Sequence, residues 1–347
     1  MIVPYIKLAN DLSIESFPEW IEKINSFGLF GRVALGVNDR IDCELLEKMV
    51  IETGGSLDVQ ILLETFQEEL GMNLLNAGAD QILVRAAVKI SLIPEDRIRV
   101  IENFAEWTAD QPAIIDIELI AQTWKTGQDH LVDVRLLKSP ATLADALIPL
   151  LVSDRPDGLW PTVIVDQLGI ALGLAYSSEA SLRIAIEKQT GVYFSRSRDK
   201  IWEKGKTSGA IQRLVGVRVD CDFDTLRFMV AQQAPGFCHN GTHTCFGYER
   251  NVSEIIQRLE DRIQGGDRKS FTKKLFDDQE MLRKKLLEEA QELSDATTTS
   301  DATWEAADVL YFSLIALLRN GATLPKVYSE LGRRMQRVVR RKNKLEP

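Results

Sequence analysis

The sequence predicts a multidomain protein with an N-terminal α/β domain, a central α+β domain and a C-terminal all-α helical bundle. Three changes of pattern along the 347 residues carry that reading. Short β-rich runs alternate with amphipathic stretches as far as about residue 150, the apolar period then shortens to two, and from Val252 apolar residues recur at helical spacing. The boundaries fall at 1–152, 153–250 and 251–347.

In the first segment RVALGVN, SLDVQILLE, DQILVRAAV and PAIIDIELIA read as strands. IDCELLEKMVIETGG and PEDRIRVIENFAEWTADQ read as amphipathic stretches between them. Such βα alternation builds a largely parallel sheet, because parallel neighbours need a crossover. No glycine-rich phosphate loop opens a helix here, and Cys43 and His130 stand alone. Cys43, on a helical pattern, reads as a small core residue. The segment is expected to be a scaffold or a decayed enzyme.

SDRPDGLWP, Ser153 to Pro161, is dense in turn formers and marks the boundary. Beyond it TVIVDQLGIALGLAY, GVYFSRS, LVGVRVDCD and TLRFMVAQQ read as strands, with SEASLRIAIEKQTG as one helix, in a compact unit ending near Tyr248. The last segment reads as three or four helices, broken at QGGDR, at TTTSD and at Asn320 and Gly321.

Bulk composition narrows the function. A hydrophobic fraction of 45% supports ordinary buried cores. No apolar stretch approaches the roughly 20 residues that span a bilayer, and MIVPYIKLANDLSIE lacks the flank and run of a signal peptide, so no membrane partner is expected and the cytoplasm is the expected compartment. A net charge of −9 argues against broad nucleic-acid binding, although RRMQRVVRRKNK is locally basic. A small polyanionic substrate fits better. Of the four cysteines, Cys221, Cys238 and Cys245 lie close together. In a reducing compartment such a cluster reads as a metal site rather than a disulfide framework.

In VDCDFD, Asp220, Asp222 and Asp224 alternate with Cys221. On an extended strand the three carboxylates would share one face and the thiol would take the other. Carboxylate oxygens suit magnesium (Mg²⁺), and a thiolate suits zinc (Zn²⁺). The other two thiols lie in APGFCHNGTHTCFG. Three thiolates leave a fourth tetrahedral position open for water, the arrangement of a catalytic zinc site, where the metal makes water a nucleophile near neutral pH. His239 could orient that water, act as general base or ligate the metal. The alternative is a hairpin turn shaped by Asp222 and Asp224, with the cysteines in a structural zinc knot. His243 reads as a loop residue.

FSRSRDKIWEKGKTSG sets Arg196, Arg198, Lys204 and Lys206 beside Ser195, Ser197, Thr207 and Ser208, with Gly205 and Gly209 opening the backbone. Basic side chains, hydroxyls and open amides together make a phosphate-binding loop, whereas a charge run alone is usually a solvated face. With SRSR and WxKGxTSG (Trp202 to Gly209), VDCDxD and CH…CF, the stretch from about Arg155 to Gly247 resembles the phosphoribosyl-AMP cyclohydrolases. That resemblance implies Cys221, Cys238 and Cys245 as zinc ligands, Cys221 coming from the partner subunit of a homodimer, and Asp220, Asp222 and Asp224 as magnesium ligands. It implies hydrolytic opening of the adenine ring between N1 and C6 by a zinc-activated water, and His239, beside Cys238, is the candidate catalytic residue there. The substrate-binding positions it implies are Ser195, Arg196, Ser197, Arg198, Trp202, Lys204, Gly205, Thr207, Ser208 and Gly209. The sequence departs from that family's common pattern at His243 and Thr244.

In the last segment Glu289 and Glu292 are three apart, and Glu305 and Asp308 repeat the spacing. Residues i and i+3 share a helix face, so two antiparallel helices would gather four acids into a magnesium site that holds a triphosphate and orients water. One such motif alone would read as a solvated face pairing with Lys284 and Lys285. The second pair, set against AADVLYFSLIALL, weakens that alternative. SFTKKLF, EEAQEL and WEAADVLYF resemble the phosphoribosyl-ATP pyrophosphohydrolases over about Ile255 to Lys342, which implies Glu289 as catalytic. Arg333, Arg334, Arg340, Arg341 and Lys342 are candidates to complete a phosphate pocket or to serve the helix surface. The order of segments resembles the front part of the fungal trifunctional histidine-biosynthesis proteins. It implies that phosphoribosyl-ATP loses pyrophosphate at the C-terminal site and that the zinc site opens the resulting phosphoribosyl-AMP.

Overall fold

The computed structural model describes residues 2–8, 17–26, 32–37, 43–53, 57–101, 130–133, 139, 144, 147–233, 236–265 and 269–338. The chain is multidomain, with two α/β sheets and a helical region toward the C-terminus. It divides into two compact units, Met1–Gly241 with Ser329–Pro347, and Thr242–Tyr328.

The first sheet of the larger unit is parallel, in the order β5-β4-β3-β2-β1-β6. Its strands are β1 (Ile2–Leu8), β2 (Arg32–Val37), β3 (Asp58–Leu63), β4 (Gln81–Val84), β5 (Ile98–Val100) and β6 (His130–Asp133). Helices α1 (Phe17–Ser26), α2 (Cys43–Thr53) and α3 (Glu68–Ala77) follow successive strands. β2 and β3 are buried along nearly their whole length, as strands covered on both faces must be. Val33, Leu35, Ile61 and Ile82 pack with Leu46 and Leu74 on one face, and Ala34, Leu62, Leu83 and Ile101 cluster separately.

One amphipathic stretch folds otherwise. PEDRIRV forms a 3₁₀ turn at Glu95–Arg97 and then β5, paired to β4 with Ile98 opposite Ile82. Tertiary pairing overrides the local helical pattern there. PAIIDIELIA, read as a strand, lies outside the described residues.

The C-terminal end of α3 is tied down by two arginines. Its helix stops at Gly78, φ +115°. Arg97 donates to the carbonyls of Ala79 and Asp80, and Arg333 Nη1 donates to that of Ala77 at 2.6 Å. Arg333 is 7% exposed and also pairs with Glu330. Its guanidinium therefore caps carbonyls in this unit, where the negative end of a helix dipole favours a cation, and does not complete a phosphate pocket. Arg340, Arg341 and Lys342 lie outside the described residues.

The second sheet is mixed, in the order β10-β9-β8-β7-β12-β11. TVIVDQLGIALGLAY is a hairpin of β7 (Trp160–Val165) and β8 (Ala171–Ser177). Asp166 Oδ1 accepts the N–H groups of Leu168 and Ile170, both at 2.9 Å, and closes its turn. α4 (Glu179–Lys188) starts in a capping box at Ser178. β9 (Val192–Ser195), β10 (Lys200–Glu203), β11 (Gln212–Val219) and β12 (Leu226–Gln232) complete the sheet. Tyr193 and Phe228 are fully buried at its centre, and the Tyr193 hydroxyl donates to Gln212 at 2.7 Å.

The smaller unit contains α5 (Val252–Gln264), α6 (Phe271–Asp277), α7 (Gln279–Asp295) and α8 (Thr299–Arg319), and α9 (Leu324–Met335) begins there. Asn251, Ser270, Asp278 and Thr298 each accept a backbone N–H at the start of one of the first four. Leu275, Leu282, Phe312 and Ile315 form its core. Among the described residues no helix is long and apolar enough to cross a membrane.

The loop after β4 is held by Glu68, whose carboxylate accepts the N–H groups of Ser91 and Leu92, both at 2.6 Å, and of Ile93 at 3.3 Å. The Leu92 and Ser91 amides draw its pKa down from the usual 4.5 to about 2. A carboxyl with a lowered folded pKa stabilises above its unfolded pKa and loses that contribution as pH falls through the folded one. Hydrogen exchange should therefore show the Leu92 and Ile93 amides protected at neutral pH in the wild type, with protection fading between pH 4.5 and about 2. In Glu68→Ala protection should be lost at every pH, and unchanged protection in that variant would refute the tie.

Candidate active sites

The basic stretch of the second sheet folds as two turns around a strand. β9 and β10 pair with Ser195 opposite Lys200, so Arg196, Ser197 and Arg198 sit at a hairpin tip. KIWE within this stretch, read only as part of a loop, is thus a strand. Lys204 to Gly209 form the second turn. Gly205 has φ +85°, and a Cβ there would lie 2.4 Å from the Ala210 carbonyl carbon and the Ile211 nitrogen, so only glycine fits. Gly209 has φ +76°, and its N–H closes the turn on the Gly205 carbonyl at 2.8 Å. Lys204 donates to the carbonyl of Phe237, next to Cys238. Trp202 packs beside the buried Tyr193 ring at 5.4 Å. Lys206, Thr207 and Ser208 are exposed.

The acidic stretch is a turn and not a strand. β11 ends at Val219, and the chain reverses through Asp220 to Thr225 before β12. Asp220 Oδ1 accepts the N–H groups of Asp224 and Thr225, both at 3.1 Å, and Phe223 takes φ +67°. A short side chain that captures nearby amides competes with the sheet ladder, and here it wins. Alternation on a strand is thus replaced by convergence in a loop, with carboxylate oxygens of Asp220, Asp222 and Asp224 within 4.8 Å of one another. Burial pushes the Asp220 carboxyl up, but the Thr225 and Asp224 hydrogen bonds outweigh it and hold the pKa low.

Cys221 is exposed in that turn, Cys238 is 8% exposed, and Cys245 is exposed in the smaller unit. None of the three is in a disulfide among the described residues. Cys238 Sγ lies 3.8 Å from Nδ1 of the exposed His239. Cys245 follows the buried Thr244, whose hydroxyl donates to Gly247 and accepts from the Phe246 amide. Among the described residues the clusters of ligating side chains are both carboxylate groups, and no cysteine belongs to either.

The helical unit holds the second cluster. Glu289 and Glu292 project from α7 and Glu305 from α8, with carboxylate oxygens within 4.8 Å of one another. Glu289 is 8% exposed. Lys285, one turn earlier, reaches Glu288 at 3.1 Å and Glu289 at 3.4 Å. Its ammonium partly answers the cluster, and pairing with solvent-facing lysine describes Glu288 better than Glu289. Oε2 of Glu305 is buried without a hydrogen-bond partner. Burial, and then the charge of Glu292, push its carboxyl pKa up. An orphaned carboxylate oxygen facing two further carboxylates is chemistry that a divalent oxygen-loving cation fits. Asp308 is half-buried one turn beyond Glu305 and is not among the three that converge.

Sequence reasoning missed Arg155 and Tyr176. Arg196 stacks over the Tyr176 ring at 3.8 Å and Arg155 at 4.8 Å. The signal lay in register: Tyr176 of β8 pairs with Phe194 of β9, which brings its ring beside the tip carrying Arg196.

Residues 173–247 match the family model "Phosphoribosyl-AMP cyclohydrolase", and residues 252–335 match "Phosphoribosyl-ATP pyrophosphohydrolase". The histidine biosynthesis trifunctional protein of Saccharomyces cerevisiae is 33% identical over all of this chain and 43% of its own length. The histidine biosynthesis bifunctional protein his7 of Schizosaccharomyces pombe is 43% identical over 58% of this chain and 48% of its own. The chain thus spans less than half the length of these fungal relatives. The histidine biosynthesis bifunctional protein HisIE of Aquifex aeolicus is 35% identical over 52% of this chain and 96% of its own. With both hydrolase domains in the same order along one polypeptide, the chain belongs to the family of histidine-biosynthesis proteins that fuse a phosphoribosyl-AMP cyclohydrolase to a phosphoribosyl-ATP pyrophosphohydrolase.

Proposed function

We propose that this chain catalyses two consecutive hydrolyses: phosphoribosyl-ATP to phosphoribosyl-AMP and pyrophosphate, and then opening of the adenine ring of phosphoribosyl-AMP. The observation that carries the reading is the convergence of Glu289, Glu292 and Glu305 around a buried oxygen with no hydrogen-bond partner. The proposed layout is a non-catalytic segment 1–152, a cyclohydrolase segment 153–250 and a pyrophosphohydrolase segment 251–347.

Glu289, Glu292 and Glu305 would hold Mg²⁺ in the helical unit, with Asp308 of the same α8 face completing the set. Glu289, the most buried of the three, positions the attacking water, and Lys285 beside it orients that carboxylate. In the cyclohydrolase segment Cys221, Cys238 and Cys245 would hold Zn²⁺, a donor set of thiolates that suits it, and Asp220, Asp222 and Asp224 would hold Mg²⁺. When bound, zinc supplies the Lewis acidity that makes water a nucleophile near neutral pH, and Mg²⁺ neutralises phosphate charge. His239, exposed beside Cys238, takes the proton of the attacking water. Ser195, Arg196, Ser197 and Arg198 at the hairpin tip, and Lys204, Thr207 and Ser208 around Gly205 and Gly209, bind phosphate. Exposed Cys221 and Cys245 support a homodimer in which the thiolate set draws on both chains. The cytoplasm is the proposed compartment.

Incubation with phosphoribosyl-ATP, Mg²⁺ and Zn²⁺ should release pyrophosphate and then yield the ring-opened product. A protein that released pyrophosphate from ordinary nucleoside triphosphates as well as from phosphoribosyl-ATP, and opened no ring, would contradict the proposal. Glu289→Gln and Glu305→Gln should each lower pyrophosphate release roughly a hundredfold or more, as loss of a metal ligand does. Both should leave ring opening of supplied phosphoribosyl-AMP at wild-type rate, and retained pyrophosphate release in both would remove the cluster from the mechanism.

The shared zinc site makes a third prediction. Cys221→Ser and Cys238→Ser chains, each inactive alone in ring opening, should regain about a quarter of wild-type activity when reassembled together, since half the dimers are mixed and half their sites are whole. Background activity in a sample shown to contain mixed dimers would confine the site to one chain.

A further inference from the structure

Two guanidinium groups approach the Tyr176 ring of β8, Arg196 at 3.8 Å and Arg155 at 4.8 Å from its centroid. The two arginines are not equivalent. Arg155 is fixed by Asp157 through a two-bond fork, Nε to Oδ1 at 2.9 Å and Nη2 to Oδ2 at 2.7 Å. Arg196 has no hydrogen-bonded partner among the described residues, so its donors remain available. Two like charges near one ring repel unless something between them answers both. The electron-rich face of the phenol attracts each cation, and Asp157, bonded to Arg155, also feels the charge of Arg196 without a hydrogen bond to it.

A pocket opens at this stack, walled by Tyr176, Phe194 and Trp202 with Arg196 and Ser197 at its polar side. Aromatic walls take a flat base, and a free guanidinium takes a phosphomonoester through a planar fork. We infer that Tyr176 is a positioning residue of the cyclohydrolase site, which with Arg155 holds the Arg196 guanidinium over this pocket to grip a phosphate of phosphoribosyl-AMP. The inference rests on the proposed cyclohydrolase function and deepens it. Without the ring Arg196 would explore many rotamers at an exposed hairpin tip, and binding would bear the cost of ordering it.

Steady-state ring opening of phosphoribosyl-AMP by the full, metal-loaded chain tests this. Tyr176→Leu should raise KM about tenfold, the loss of one charge-assisted contact, with kcat within about twofold of wild type. Tyr176→Phe, which keeps the ring, should restore the wild-type KM. Arg196→Met should match Tyr176→Leu, and the double variant should be no worse than either, because both remove one interaction. Pyrophosphate release from phosphoribosyl-ATP should stay at wild-type level in every variant and report an intact helical unit, while the retained kcat of ring opening reports a folded cyclohydrolase unit. An unchanged KM in Tyr176→Leu, equal impairment in Tyr176→Phe, or additive effects in the double variant would overturn the inference while the cyclohydrolase function stands. Failure of the wild type to open the ring at all would overturn that function and this inference with it.

Discussion

Three carboxylates that meet between two helices repel one another, and among the described residues one of their oxygens is buried without a hydrogen bond. Glu289, Glu292 and Glu305 converge with one ammonium, Lys285, bonded to Glu289, while Oε2 of Glu305 is left without a hydrogen bond. Burying an ionised carboxylate without a partner is costly, and neighbouring like charge adds to the cost. The raised pKa of Glu305 expresses that conflict. A divalent cation would remove it, and the helices that bear the acids are secured elsewhere, by caps at Asp278 and Thr298 and by a core of Leu282, Phe312 and Ile315. Stability and the site are thus assigned to different residues of the same two helices.

The sheet unit solves a different problem, placing hard and soft donors close in sequence without mixing them. The turn after β11 gathers three carboxylates by spending Asp220 on backbone amides, while Cys221 in the same turn stays exposed. Lys204 ties the glycine-opened turn to Phe237, so the basic segment and the buried Cys238 are fixed with respect to each other. Hard carboxylates and soft thiolates select different cations, which would let the two proposed hydrolyses use different metals on one polypeptide.

Much of the fold is legible in residue order. The β-rich runs RVALGVN and SLDVQILLE announce strands, and the breaks at QGGDR, TTTSD and Asn320–Gly321 fall at helix boundaries. What was not legible depends on partners remote in sequence or on side chains that compete with the ladder. Ile98–Val100 becomes a strand because β4 offers an edge, and Lys200–Glu203 because β9 does. Asp220 ends a strand that alternation would have continued. Arg333 caps α3 from 256 residues away, a pairing that no local pattern encodes. Spacing singled out the acids, thiols and basic loop as candidates, and the structure gathers Asp220, Asp222 and Asp224, and Glu289, Glu292 and Glu305, whereas the stacking of Arg196 on Tyr176 follows from strand register alone.

On the proposed reading, the helical carboxylates destabilise the chain when alone and a cation answers them. Thermal unfolding of the wild type and of Glu305→Gln, each with and without Mg²⁺, tests it most directly. The account predicts that Mg²⁺ raises the wild-type Tm, and that Glu305→Gln raises Tm in the absence of metal and abolishes most of the Mg²⁺ response. A Glu305→Gln protein less stable than wild type without metal, and still stabilised by Mg²⁺ to the same extent, would contradict it.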